Sequence, residues 1–193
     1  MGRLVKLIGI LLLVALLAVV GLAAHEGGHG LAAIALGGLV ERFTVMPGIQ
    51  VYPELAPYPW DGNIGSTYYR VPGLTPRREG FISLMGSGTT ALVAAAAAVL
   101  LAFVRPRGFG RAVLMTIAAT WPFDIVAYSV FPSIGLRHLV FFGGYSTEPL
   151  DGAVALGIPA SVFWIALGAY VIAVYGLVLL SLRTDRGAAR QRG

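Results

Sequence analysis

Four long stretches of the chain are strongly apolar, and only the third of them contains a charged residue. An α-helix needs about 20 apolar residues to cross the hydrocarbon core of a bilayer. We therefore predict a membrane α-helical fold with about four transmembrane helices, embedded in the lipid bilayer as a multi-pass protein. The four stretches are residues 7–24, 81–104, 112–135 and 153–182.

The first stretch is predicted to belong to one helix over residues 4–37, because its helical character continues without a break signal. An apolar segment that follows Arg3 and Lys6 and ends in small residues is also typical of a secretory signal peptide. We favour the helix, since cleavage after Ala24 would leave His25 at a free terminus.

Two of the later stretches contain helix-breaking residues. Pro122 should kink the third helix, because proline removes a backbone hydrogen bond from a helix interior. The sequence Gly157-Ile158-Pro159 should break the fourth stretch near its start. Residues 183–193 form a basic, polar tail, and we treat residues 1–193 as a single integral membrane domain.

Residues 39–80 differ from the apolar stretches, because Gly, Pro and charged residues recur there. Asp61-Gly62-Asn63 is a hairpin signal between β-prone pieces. We predict a small β-hairpin or sheet insert at the membrane surface, which could be a structural cap or could offer an edge strand to an extended substrate. The β-prone pieces are residues 41–45, 49–52 and 64–71.

Composition and charge agree with a membrane protein. Hydrophobic residues make up 57% of the chain and charged residues 12%, with a mean hydropathy of +0.80. The net charge of +5 comes from short basic clusters rather than a basic face interleaved with aromatic residues, so we expect no nucleic-acid partner. No feature of the sequence indicates an oligomeric state.

Lys and Arg are more frequent in the segments that share a side with the N-terminus than in the other loops. This distribution predicts that both termini lie inside the cell. An even number of crossings then places the end of the first helix and the loop before the last helix on the same face of the membrane.

Candidate chemistry is concentrated in the sequence HEGGH at residues 25–29. Four residues make about one helical turn, so His25 and His29 project from the same face and can bind one zinc ion. Glu26 lies beside them and can act as a base, as in the HExxH motif. Ionisable groups at membrane depth are costly, which favours a functional role.

A catalytic zinc ion takes three protein ligands, and the chain has no cysteine, so the third must be His or a carboxylate. Asp151 lies on the same predicted face as the histidines and is the first candidate, although it could instead cap a helix. Asp124 is its competitor. Glu148 ranks below both, and His138 is expected to be a loop or interface residue.

The order of these features resembles the site-2 proteases, a family of intramembrane zinc metalloproteases whose HExxH motif is followed, two helices later, by an LDG segment. Here that segment is Leu150-Asp151-Gly152. The resemblance implies a compact variant without a PDZ domain, with His25, His29 and Asp151 as zinc ligands and Glu26 as catalytic base. It also implies a membrane-anchored protein substrate and a location in the cell membrane.

Two features depart from the family pattern. An Asn-Pro pair often precedes the LDG segment, whereas Thr147-Glu148-Pro149 stands here. The family's active site usually opens toward the cytosol, whereas the Lys and Arg distribution places this one outside. We expect an intramembrane zinc endopeptidase that cleaves in or near transmembrane segments. A non-catalytic zinc-binding membrane protein and a membrane transporter are the alternatives.

Overall fold

A computed structural model describes residues 2–60, 62–140 and 142–190, with the side chains of residues 184–190 outside the description. Helices dominate, and a small antiparallel sheet follows the first of them. In chain order the elements are α1 (Gly2–Ala35), β1 (Leu39–Val45), β2 (Ile49–Tyr52), β3 (Ala56–Pro57), β4 (Gly65–Arg70), α2 (Pro76–Val99), a π-helical segment (Leu100–Val104), α3 (Gly108–Thr120), α4 (Pro122–Ser133), α5 (Glu148–Ala155) and α6 (Ala160–Arg190).

Four helical stretches are long and apolar enough to cross a membrane, as the apolar pattern predicts. The most apolar part of α1 is only 6% buried, so its Leu and Val side chains face outward over most of its length. Lipid tails are the environment in which such a surface is stable. The four stretches are Gly2–Ala35, Pro76–Val104, Gly108–Ser133 and Ala160–Arg183.

Both predicted helix breaks are confirmed. α3 ends at Thr120 and α4 begins at Pro122, which suits proline because the first helical position needs no backbone donor. α5 ends before Gly157, whose φ of +89° is left-handed, and α6 begins directly after Pro159. Residues 153–155, predicted to begin the last span, therefore belong to the short helix α5.

The sheet has the strand order β3-β2-β1-β4, with all pairs antiparallel. The three predicted β-prone pieces correspond to β1, β2 and β4. The predicted hairpin at residues 61–63 does not form, because β4 pairs with β1 and not with β3. Asp61 itself lies outside the described residues. β1 is the longest strand and offers two edges, so β2 takes one edge and β4 the other.

Glycines allow the helices to approach closely. A Cβ atom added at Gly28 of α1 would collide with the Met85 carbonyl oxygen of α2 and lie 2.5 Å from Thr89 Oγ1. A Cβ atom at Gly152 of α5 would lie 2.5 Å from the carbonyl oxygen of Gly80 on α2. Small residues at such crossings let backbones pack together, which stabilises helix pairs in membranes. α2 therefore lies at the centre of the bundle, in contact with both α1 and α5.

We predict that Gly152→Ala destabilises the fold by about 1–3 kcal/mol, because the added methyl group must displace backbone atoms of α2. The measurement is thermal or denaturant unfolding of the detergent-solubilised protein. Gly168→Ala is the matched control, since a Cβ atom there meets open space on α6. Equal stability of the two variants would contradict the prediction.

Candidate metal centre

The two histidines of the HEGGH sequence face each other on α1, as their spacing predicts. Their Nε2 atoms are 3.2 Å apart. His25 is only 2% exposed, and the His29 side chain is 12% exposed. Two nitrogen ligands of a tetrahedral zinc ion lie about 3.3 Å apart when each bond is about 2.05 Å long. The observed separation therefore suits two ligands of one ion.

The other nitrogen of each ring is held by a different helix. His25 Nδ1 lies 2.9 Å from Asp124 Oδ2 on α4, and His29 Nδ1 lies 2.8 Å from the Ile82 carbonyl oxygen on α2. A carbonyl oxygen only accepts, so Nδ1 of His29 donates and its Nε2 keeps a free lone pair. The same tautomer at His25 directs both lone pairs toward one point, the arrangement found in metal-binding histidines.

Glu148 at the first position of α5 is the third member of the group. Its Oε2 atom lies 3.8 Å from His25 Nε2 and 3.6 Å from His29 Nε2. The three ligand atoms lie within 4.8 Å of one another, so His25, His29 and Glu148 could hold a metal ion. Two nitrogens and one carboxylate oxygen are a ligand set that zinc accepts.

The structure does not bring Asp151, the first candidate from the sequence, to the histidines. Its side chain is exposed, and Oδ2 accepts a hydrogen bond of 2.8 Å from Thr147 Oγ1. Glu148 takes that place because α5 begins at Glu148 itself, and its longer side chain reaches the histidines. Asp124, the competitor, is a hydrogen-bond partner of His25 Nδ1 and not a member of the ligand group.

The Glu148 carboxylate is held on both of its oxygens. Ser146 Oγ donates a 3.1 Å hydrogen bond to Oε1, while Oε2 faces the histidines. Although burial alone would raise the pKa of Glu148, His25 and His29 lower it below its usual range when both imidazole rings are protonated. Metal binding requires the other state of the rings, neutral with free Nε2 lone pairs, together with an ionised Glu148.

Glu26 lies next to the histidines and is 4% exposed. Thr67 Oγ1 on β4 is 2.8 Å from Glu26 Oε2 and 2.9 Å from the Glu26 carbonyl oxygen. The other carboxylate oxygen, Oε1, would lie 2.7 Å from a Cβ atom at Gly65. The edge strand β4 therefore fixes Glu26 from two sides.

These groups line one cavity of about 280 Å³, which also receives residues from the loop before α5. Its wall includes Tyr128, whose ring lies 4.5 Å from the His25 ring and 3.9 Å from the His138 ring, centroid to centroid. Residues of α1 and of this loop therefore line one cavity.

His138 has a defined place in this wall. Its Nε2 atom lies 2.7 Å from the Ser146 carbonyl oxygen, so Nε2 carries the proton. Burial lowers the pKa of His138, so its neutral form is favoured. The sequence interpretation of His138 as a loop residue agrees with its position outside the helices and strands, and the ring supports both Tyr128 and the backbone next to Glu148.

Gly86 of α2 has no side chain, which leaves room for the imidazole rings of His25 and His29. A Cβ atom at Gly86 would collide with His29 Nε2 and lie 2.8 Å from His25 Nε2. In the sequence Gly86 stands in the small, polar run Gly86-Ser87-Gly88-Thr89-Thr90, which predicts close helix packing or, as the alternative, a polar lining for a nearby site. Thr67 and Tyr128 have no sequence signal of their own, because their roles depend on contacts between distant segments.

Comparison of the chain with protein-family models, curated proteins and solved structures gives no match. The functional interpretation therefore rests on the residues and geometry of the site. That geometry combines a group able to hold a metal ion with a fixed carboxylate, Glu26, in one cavity.

We predict that Gly86→Ala abolishes metal binding, because the methyl group would occupy the space around both Nε2 atoms. Bound metal is measured by elemental analysis of the purified protein, and circular dichroism checks that the helices remain. Gly88→Ala on the same helix is the control, since a Cβ atom there meets only Met85 Sδ at an ordinary 3.7 Å. Full metal content in Gly86→Ala would contradict the assignment of the site.

Proposed function

We propose that this protein is an intramembrane zinc endopeptidase of the site-2 protease type. The observation that supports this best is the convergence of His25, His29 and Glu148 on one point, with Glu26 in the same cavity. A metal ion with a structural role alone would have no need of the Glu26 carboxylate beside it. The cavity is lined by residues of α1, α2 and α4, which belong to helical stretches long and apolar enough to span a bilayer.

Zinc is the metal that this ligand set favours. Three protein ligands made of imidazole and carboxylate, with a further position left for water or substrate, are the usual composition of catalytic zinc sites. A bound zinc ion would act as a Lewis acid that lowers the pKa of water and polarises the peptide carbonyl. His25 and His29 would hold it through Nε2 and Glu148 through Oε2.

Glu26 is the proposed general base. The Thr67 hydroxyl contacts Oε2 and fixes the plane of the carboxylate, so proton transfer needs no reorientation of the group. The Glu26 carboxylate takes a proton from the attacking water and then gives it to the nitrogen of the leaving amine. This sequence of transfers returns Glu26 to its ionised form.

The proposed substrate is a membrane-anchored protein cleaved in or near its transmembrane segment. An intact helix hides its carbonyl groups in its own hydrogen bonds, so the segment must unwind before cleavage. The edge strand β4 lines the cavity through residues 65–67 and offers a surface with which an unwound segment could pair as an added strand. The outward apolar face of α1 fits contact with lipid.

We expect Glu148→Gln to lose most of its bound zinc, because an amide carries no charge to offset that of the ion. Asp124→Asn should bind zinc about 10–100-fold more weakly, because the native Asp124 carboxylate orients the His25 ring without being a ligand itself. Zinc affinity is measured by competition with a chelator.

Asp151→Asn is the matched control on the same short helix, and it should bind zinc like the wild-type protein. Loss of zinc in Asp151→Asn together with retention of zinc in Glu148→Gln would show that Asp151, and not Glu148, is the third ligand.

We expect Glu26→Gln to keep its zinc but to cleave a membrane-anchored substrate about 100- to 10,000-fold more slowly, which is the usual contribution of a general base. The assay follows cleavage of a helical membrane peptide in detergent by mass spectrometry. Cleavage by Glu26→Gln at the wild-type rate would refute the mechanism. Bound zinc without any cleavage by the wild-type protein would favour a non-catalytic zinc protein.

A further inference from the structure

A second cavity, of about 500 Å³, lies between α1 and the sheet, and we call it the α1–sheet groove. One wall belongs to α1 and the other to strands β1 and β2. The groove is large enough for one or more side chains of a bound peptide, since binding pockets for small ligands begin at about 300 Å³. Its apolar wall residues include Leu31, Ile34, Leu39, Val40, Phe43 and Tyr52.

The groove adjoins the metal cavity. Glu26 and Thr67 line both of them. The Thr67 hydroxyl bonds to Glu26, while its methyl group lies 3.8 Å from the Cβ position of Gly30, which also lines the groove. A peptide whose scissile bond lies at Glu26 therefore has the groove directly beside that bond.

The chemistry of the groove selects an apolar occupant. Among its described lining residues, Glu26 at the end shared with the metal cavity is the only charged one. On the α1 wall, Leu31 is 66% exposed and Ile34 is 54% exposed, although both are large and apolar. An apolar side chain of the substrate can pack against these two residues, whereas a charged side chain would lose its hydration there without gaining a partner.

Glycine keeps the groove open at the end nearest the reaction. Gly27 lines the groove next to Glu26, and a Cβ atom added there would meet no atom within 4 Å. A larger side chain at Gly27 therefore has room beside the groove and does not disturb the packing of α1. The metal-binding histidines are held from α2 and α4, on contacts that do not involve Gly27.

We propose that the α1–sheet groove binds a large apolar side chain of the substrate next to the cleaved bond, and that Gly27 sets the size it accepts. This inference rests on the proposed endopeptidase function and adds to it a preference for Leu- or Phe-sized side chains at one substrate position. The endopeptidase function and the role of the groove can be tested separately, because peptide binding in the groove can be measured without cleavage.

The first experiment tests binding alone. The chain contains no cysteine, so Leu31→Cys introduces a single thiol in the groove. In the Glu26→Gln background, the rate of thiol modification is measured with Ala-rich apolar peptides that carry either Phe or Ala beside a Gly-Pro break. We expect the Phe peptide to slow modification and the Ala peptide to leave it unchanged. Gly9→Cys, far from the groove on the same helix, should show no protection.

The second experiment tests selectivity. The ratio of kcat/KM for the Phe peptide to that for the Ala peptide is compared between wild type, Gly27→Leu and Gly9→Leu. We expect Gly27→Leu to lower the ratio by about 10-fold or more, because one to a few methylene groups in an apolar pocket give discrimination of that size. Gly9→Leu should match the wild type, since Cβ at Gly9 also meets open space.

The outcomes separate the two proposals. No protection of the thiol by the Phe peptide, or an unchanged ratio in an active Gly27→Leu protein, overturns the role of the groove and leaves the endopeptidase function standing. Protection of the thiol with no cleavage by the wild-type protein supports the groove as a binding site for apolar peptides and overturns the endopeptidase function.

Discussion

The close approach of α1 and α2 is the constraint on which the rest of the site depends. α1 carries His25, Glu26 and His29, whereas α2 carries the carbonyl oxygen that fixes His29 and the hydroxyl group that supports Asp124. Glycines on both helices permit this approach: Gly28 faces the α2 backbone, and Gly86 leaves room for the imidazole rings. A wider separation would break the hydrogen bond between His29 Nδ1 and the Ile82 carbonyl oxygen.

The ionisable groups around Asp124 are acceptable inside the bundle because they pair with one another. Asp124 Oδ2 accepts hydrogen bonds from Thr90 Oγ1 at 2.6 Å and from His25 Nδ1 at 2.9 Å, which joins three helices through one carboxylate. A buried carboxylate without such partners would cost several kcal/mol, on the order of the penalty for an uncompensated buried charge. The same bonds that satisfy Asp124 also select the tautomer that His25 needs for metal binding.

The features that the sequence predicts well depend on local pattern. Apolar length indicates the four long helices, β-prone pieces indicate three of the strands, and the four-residue spacing of His25 and His29 places both rings on one face. The features it misses depend on contacts between distant segments. Thr67 lies 41 positions from Glu26, and nothing near either residue indicates their hydrogen bond.

Which of the two carboxylates, Glu148 or Asp151, lies beside the histidines is the feature that the sequence predicts least well. Both are carboxylates in one short helix, and three residues rotate the direction of a side chain by about 300°. The outcome depends on where α5 begins and on how the loop before it folds, since Ser146 and Thr147 each bind one of the two carboxylates. Neither the helix start nor the loop conformation follows from residue spacing.

A metal ion held at Glu148 would also link the stability of the bundle to the supply of metal. α1 and α5 are far apart in the chain, and an ion held by His25, His29 and Glu148 would act as a cross-link between them. A ligand that binds only the folded state adds RT ln(1 + [L]/Kd) to the free energy of unfolding, which is about 2.7 kcal/mol at 100 times Kd. Chelation of such an ion would thus also remove the cross-link between α1 and α5.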